Sequence, residues 1–253
     1  MRLLILGTAA ALIAASGFTM AAEKNFGDSI TTPEQAAEAT SLVEKWLSGG
    51  IPSKLKVTYD GPPIQLRYAS YLPKVAGSEK VVLRALEVLN KESNGKLDIK
   101  TYFSQSLHPH RQAFTSVRDG IADMSSCFSI FEGGSFNMMH AISLPDMLNG
   151  SAAGTAAYTE IWPKYFKKEY EKMGVLILRP MIPPPYNNIG NHKYAKMEDW
   201  KGSKVRISGR NQTAAMALLG AAPSTIPANE AYTALQRGVI DSVALNAAIF
   251  ITF

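Results

Sequence analysis

The chain has little of what catalysis and metal binding draw on. Its 253 residues hold one cysteine and four histidines. A lone cysteine excludes an intramolecular disulfide, and an exported protein of this size does not need one. "SSCFS" around Cys127 offers no partner histidine for a thiol nucleophile, so Cys127 reads as a small buried side chain at a strand end. His108 and His110, in "LHPH", lack a third metal ligand at usable spacing. There is no phosphate-binding glycine loop, and no nucleophile, base and orienting group fall into a set. Asp119 and Asp123 sit at a helix end and in a strand, without a paired-acid geometry. The residues therefore point to no cofactor, no metal and no catalytic role.

Long hydrophobic runs are also scarce. The first one opens the chain, in "MRLLILGTAAALIAASGFTMAAEKN". Arg2 supplies a positive start, Leu3 to Ala15 an apolar stretch, and Thr19-Met20-Ala21 a small-residue cleavage site. Residues 1–21 are expected to be a cleaved signal peptide sending the chain to the periplasm. An uncleaved anchor is the alternative, but the stretch is short for a span and is interrupted by Ser16 and Gly17. No cysteine follows the site to carry a lipid. The formal charge is +5, with the basic residues scattered. Nucleic-acid binding needs a basic stripe or patch, so that class is set aside. A mild positive balance suits small anionic ligands.

What is present is alternation. Residues 22–63 read as an N-terminal extension and linker with one helix, "TPEQAAEATSLVEKWLSGG", capped by Thr32 with Pro33 at its first position. From Ile64 the chain becomes regular. "IQLRYASYLP" reads as a strand ending at Ser70 or Tyr71, and "EKVVLRALEVLNKESNG" as an amphipathic helix closed by Gly95. "KLDIKTYF" is a second strand, "HRQAFTSVRDG" a helix and "IADMSSC" a third strand. A helix from about Gly154 to Met173 and a strand "GVLILRPM" follow. Strands alternating with helices predict a parallel α/β sheet. "IPPPYNNIG" is rich in turn formers and reads as a crossover. "KVRISG" then starts a second α/β unit, with Asn211 as cap of a helix running to Gly220. A strand "PSTIP", a helix "ANEAYTALQRG" and a strand "VIDSVALN" complete it. Residues 64–187 are assigned to a first lobe and 188–253 to a second.

Two stretches inside the chain match each other. Residues 113–123, "AFTSVRDGIAD", align with 231–241, "AYTALQRGVID": Ala, Thr, Gly and Asp recur at the same places. Each reads as a helix, a glycine able to take positive φ, and a strand entering a sheet. Two such units separated by a turn-rich crossover point to two lobes facing one cleft.

In an open α/β sheet, ligands bind at the carboxyl ends of the strands. Arg206 stands at such an end, where a guanidinium presents paired N–H donors matching a carboxylate. Further candidates at strand ends or loops are Ser70, Tyr71, Ser125, Ser126, Tyr186, Asn187, Ser208 and Asn246.

The stretches "FSQSLHPHRQAFTSVRDGIADMS", "DWKGSKVRISG" and "LLGAAPSTIPANEAYTALQRGVID" resemble the solute-binding proteins of TRAP transporters, the DctP-type family. The family pattern D-x-K-G-x-K-x-R is matched by Asp199, Lys201, Gly202, Lys204 and Arg206. G-A-x-P is matched by Gly220, Ala221 and Pro223. E-x-Y-x-A-L-Q-x-G-x-x-D is matched by Glu230, Tyr232, Ala234, Leu235, Gln236, Gly238 and Asp241. The likeness covers roughly Ile64 to Asn246. It implies a two-lobed, periplasmic-binding-protein-like α/β fold with a ligand cleft, closing by a hinge on an organic acid that is delivered to a membrane permease. It also implies that Arg206 is the carboxylate anchor.

Three departures stand out. His192 occupies the place where the family often has a second arginine, and becomes a candidate ligand residue. Ser208 replaces the usual proline. "DSVALN" replaces D-G-x-E-N. Family members continue beyond "AAIFITF", so the resemblance implies a partial sequence whose C-terminal part is missing. A receptor for an ATP-driven importer, a sensor or an exported enzyme stay open as alternatives.

Overall fold

The computed structural model describes residues 56–132, 134–144, 147 and 151–246, with nine scattered positions between Glu34 and Gly50 before them. The expected signal peptide and the cap at Thr32 lie outside the described residues. Within them the chain divides into two compact units. One runs to Cys127 and adds Glu171–Pro180; the other takes Phe128–Tyr170 and resumes at Met181. The units therefore interleave along the chain, unlike the single boundary at 187/188 read from sequence.

The first unit is built on β1 (Ile64–Ala69), β2 (Leu97–Tyr102) and β3 (Met124–Ser125), in the order β2-β1-β3 and parallel throughout. Ile64 pairs with Leu97 and Ala69 with Tyr102 on one side of β1, and Ala69 with Ser125 on the other. Between β1 and β2 runs α1 (Gly77–Glu92), which ends where Asn94 and Gly95 take positive φ. Between β2 and β3, a 3₁₀ turn at His110–Gln112 leads into α2 (Ala113–Arg118), closed by Gly120 at φ 75°. Tyr68, Ala69, Leu72, Ala113, Phe114 and Ala122 are buried here. The strand expected over "GVLILRPM" does not form. Among the described residues it pairs with no ladder, and Leu176 lies 50% exposed. Alternation of apolar residues supplies side chains for a sheet face but not a free sheet edge beside them.

The second unit contains α3 (Ser151–Tyr165) and the first four residues of α4 (Lys167–Lys172), where the sequence predicts one helix. Phe166 stands at the break, buried against Tyr158 with ring centroids 5.5 Å apart. Phe136 and Tyr170 add rings at 4.7 Å to the same aromatic core. The unit's sheet has the order β4 (Tyr186–Gly190), β7 (Ser242–Asn246), β5 (Lys204–Arg206), β6 (Ala222–Ser224). β4 is antiparallel to β7, and the other pairs are parallel. So Tyr186–Gly190, read as part of a crossover, is an edge strand. α5 (Arg210–Leu218) joins β5 to β6, and α6 (Ala231–Gln236) precedes β7. The two sheet faces are covered separately. Val243 and Leu245 pack with Ala231, Ala234 and Ile240, while Val205, Ile207, Ala221 and Ala244 form a second cluster.

Candidate functional site

β5 ends in Arg206 and is followed by Ile207, Ser208 and Gly209, whose φ of 94° starts α5. Gly209, not Asn211, is the N-cap residue. Asn211 lies inside the helix, where its amide donates to His140 O at 2.6 Å and Ser143 Oγ at 3.1 Å, tying α5 to the preceding segment. Arg206 is 4% exposed, and its Nε donates to Ile226 O at 2.8 Å. A buried guanidinium is costly unless polar groups or an anion compensate it. Tyr186, at the start of β4, pairs with Asn246 at the end of β7, because β4 runs against its neighbour. Burial pushes the Tyr186 phenol up, and the nearby Arg206 charge opposes that rise. Arg206, Ser208, Tyr186 and Asn246 thus share one end of this sheet, and Ser208 and Asn246 are buried with the arginine.

Two expected site residues are not brought there. Asn187 alternates to the other face from Tyr186 and is exposed, its amide donating to Pro185 O at 3.4 Å. His192 follows the far end of β4, beyond Gly190, which pairs with Ser242 at the start of β7. It is exposed there, with Nε2 3.0 Å from Asp199 O and its ring 4.8 Å from that of Tyr194. The family resemblance places it by order along the chain. The antiparallel direction of β4 carries that order away from Arg206. Gln212 was not among the sequence candidates. It lies in the first turn of α5 against Gly209, and its Oε1 is buried with no hydrogen-bond partner among the described residues.

The first unit has its own strand ends. Ser70 follows β1, and its Oγ accepts the N–H of Leu72 at 3.2 Å. Tyr68 donates its hydroxyl to Glu79 at 2.9 Å, and Glu79 is 2% exposed. Burial pushes the Glu79 carboxyl up, against hydrogen bonds from Tyr68 and Ser70 and the charge of Arg179. Tyr71 lies beside His110, with centroids 5.9 Å apart. Ser126 donates its N–H to Ala69 O at 2.9 Å. Ser125 Oγ lies 3.1 Å from Ala69 O and 3.1 Å from His108 Nε2. His108, weighed in the sequence only as a metal ligand, is therefore a partner of Ser125. Cys127 is half-buried, with Sγ 3.5 Å from Ser125 O. Among the described residues no group of three or more metal-ligating side chains comes together, and no helix is long and apolar enough to cross a membrane.

Comparison with known proteins adds the following. The model of the bacterial extracellular solute-binding proteins, family 7 (DctP), matches residues 74–252. A solute-binding protein of Albidiferax ferrireducens is 21% identical over 201 residues, 79% of this chain and 58% of that one. A marine metagenome TRAP solute-binding protein specific for aromatic acid ligands, solved with 3-hydroxybenzoate, superposes with a TM-score of 0.71 at 27% identity. The match covers 76% of this chain and 61% of that one. A Rhodoferax ferrireducens TRAP solute-binding protein with benzoate gives a TM-score of 0.67 at 22% identity over 72% and 57%. One from Bordetella bronchiseptica with (R)- and (S)-mandelate gives 0.67 at 22% over 75% and 62%. The chain spans about three fifths of the length of these relatives.

Proposed function

The chain belongs to the bacterial extracellular solute-binding proteins of family 7, the DctP family, and on that premise we propose that it is the periplasmic receptor of a TRAP transporter. It captures a small organic acid by hinge closure and hands it to the membrane permease. It is a receptor and not a catalyst. The observation that carries the reading is Arg206, a buried guanidinium at the carboxyl end of a parallel strand, with Nε fixed by the Ile226 carbonyl.

Such a group cannot lose its charge, and its forked donors match the two oxygens of a carboxylate. Burial strengthens that attraction, because little water competes. Ser208, Tyr186 and Asn246 stand at the same strand end as neutral hydrogen-bonding neighbours. The aromatic-acid relative at 27% identity favours an aromatic monocarboxylate as the ligand class.

The test is thermal shift of the purified full-length protein with benzoate, 3-hydroxybenzoate, mandelate and galacturonate. At least one acid raises the melting temperature, and Arg206→Ala abolishes the rise. The reading falls if no acid does so, or if the variant responds like the parent.

A further inference from the structure

We infer that Ser208 sets the specificity of the arginine's end of the sheet, reading a hydroxyl on the carbon next to the ligand's carboxylate, so that the captured acids are 2-hydroxy acids. The inference rests on the receptor reading and uses groups of one unit only.

Val205 and Ile207 belong to one core cluster, so their side chains leave β5 and its continuation on one face. Arg206 and Ser208 alternate to the other face. Both are buried, at 4% and 7% exposure. Arg206 pairs with Ser224 at the end of β6, and its Nε donates to the carbonyl of Ile226, two residues further on. Ser208 is likewise two residues beyond Arg206. The bond therefore draws the guanidinium forward, past the last ladder pair and towards the level of Ser208. Neighbouring strands lie about 4.8 Å apart, so one small acid can meet both groups.

The two groups differ in chemistry. A guanidinium only donates hydrogen bonds, and a carboxylate only accepts them. A serine hydroxyl does both, and that of Ser208 makes no hydrogen bond among the described residues. Towards a plain carboxylate it can only donate. Towards a 2-hydroxy acid it can donate to one ligand oxygen and also accept the ligand's O–H. Its full capacity is used only there. A 2-amino acid would set an ammonium beside the buried guanidinium, and like charges repel. The proline that the family usually has at this place would offer neither an N–H nor a hydroxyl.

The hydroxyl is also held in place. Gly209 turns the chain at φ 94°, and the Gln212 amide packs against it. The Asn211 amide ties the first turn of α5 to His140 O and Ser143 Oγ. A group fixed beforehand loses little freedom on binding.

The test is calorimetric titration of the full-length protein with two matched pairs, lactate against propionate and mandelate against phenylacetate. The parent prefers the 2-hydroxy acid in at least one pair, by about threefold to tenfold, the worth of one hydrogen bond. Ser208→Ala brings that ratio close to one while the deoxy acid still binds. Ser208→Cys, similar in volume but a weaker hydrogen-bonding group, lowers the ratio as well, which separates the effect from a packing defect. Arg206→Ala weakens both members of a pair alike. A parent with no preference in either pair, or an unchanged ratio in the two Ser208 variants, overturns the inference. So does a parent that binds none of the four acids yet responds to benzoate or galacturonate. A parent that binds no acid at all overturns the receptor reading and the inference with it.

Discussion

Asp241 clamps Lys204. Its carboxylate accepts the backbone N–H of Lys204 at 2.7 Å, and its own N–H donates to Lys204 O at 2.7 Å. The lysine ammonium closes the ring on Gly238 O at 2.6 Å. The first unit repeats the device. Asp123 accepts the N–H of Arg67 at 2.8 Å and returns its own to Arg67 O, while the guanidinium reaches Gly120 O at 2.7 Å. The likeness between residues 113–123 and 231–241 thus has a physical basis. In both, a helix ends at a positive-φ glycine, and the following aspartate stitches the incoming chain to the parallel strand it joins, β1 in one unit and β5 in the other.

Each clamp gives a strand N–H a charged acceptor at the protein surface. Asp241→Ala and Asp123→Ala should each cost about 0.5–1.5 kcal/mol, the net worth of such a hydrogen bond where water can replace the lost partner. Asp→Asn, which keeps an acceptor oxygen, should cost less. Urea unfolding of the three kinds of protein checks the order. Equal stability of the alanine variants and the parent would contradict it.

Two glycines should differ in their intolerance of a side chain. At Gly238, φ is 69° and the space around a new Cβ is open, so Gly238→Ala costs about 1–2 kcal/mol from backbone conformation alone. At Gly190 a Cβ would run into Asp241 O and Ser242, where β4 meets β7. Neither neighbour is a flexible side-chain tip, so Gly190→Ala should be the more damaging. Thermal melts of the two variants decide the ranking.

Glu79 should give the fold a pH slope. Burial raises its carboxyl above the ordinary value of 4.5, so the folded protein holds this proton more tightly than the unfolded chain does. Its contribution to stability is present below the unfolded value and is lost as pH rises through the folded one. Glu79→Gln keeps a partner for Tyr68 and removes that loss. Its melting temperature should fall less steeply than the parent's as pH rises from about 4.5. Parallel curves would show that Glu79 does not titrate in this way.

Arg206→Ala should weaken binding of the captured acid by about 2–5 kcal/mol, because the anion is left without its charged partner. Arg206→Lys should recover only part of this, since an ammonium lacks the planar fork. Titration with the acid that gives the largest thermal shift measures both.

Much of this is legible in the sequence. Ile64–Ala69, Gly77–Glu92 and Leu97–Tyr102 carry clear periods and glycine stops, and they fold as read. Arg206 could be placed at a strand end from Val205, Ile207 and the glycine that follows. Other features depend on partners that a local pattern does not display. Tyr-Asn-Asn-Ile-Gly is made of turn formers, yet it becomes a strand because the buried β7 offers it an edge. Leu176 and Leu178 alternate correctly and find no edge. The direction of β4 removes His192 from the arginine's end of the sheet. Ser125 meets His108 only because β3 docks beside β1, and no spacing between the two positions announces it.

The most direct measurement is a crystal structure of the protein with its acid bound. Two oxygens of the ligand's carboxylate should lie about 3 Å from the terminal nitrogens at position 206. An acid group seated elsewhere, with that guanidinium turned to bulk solvent, would contradict the assignment.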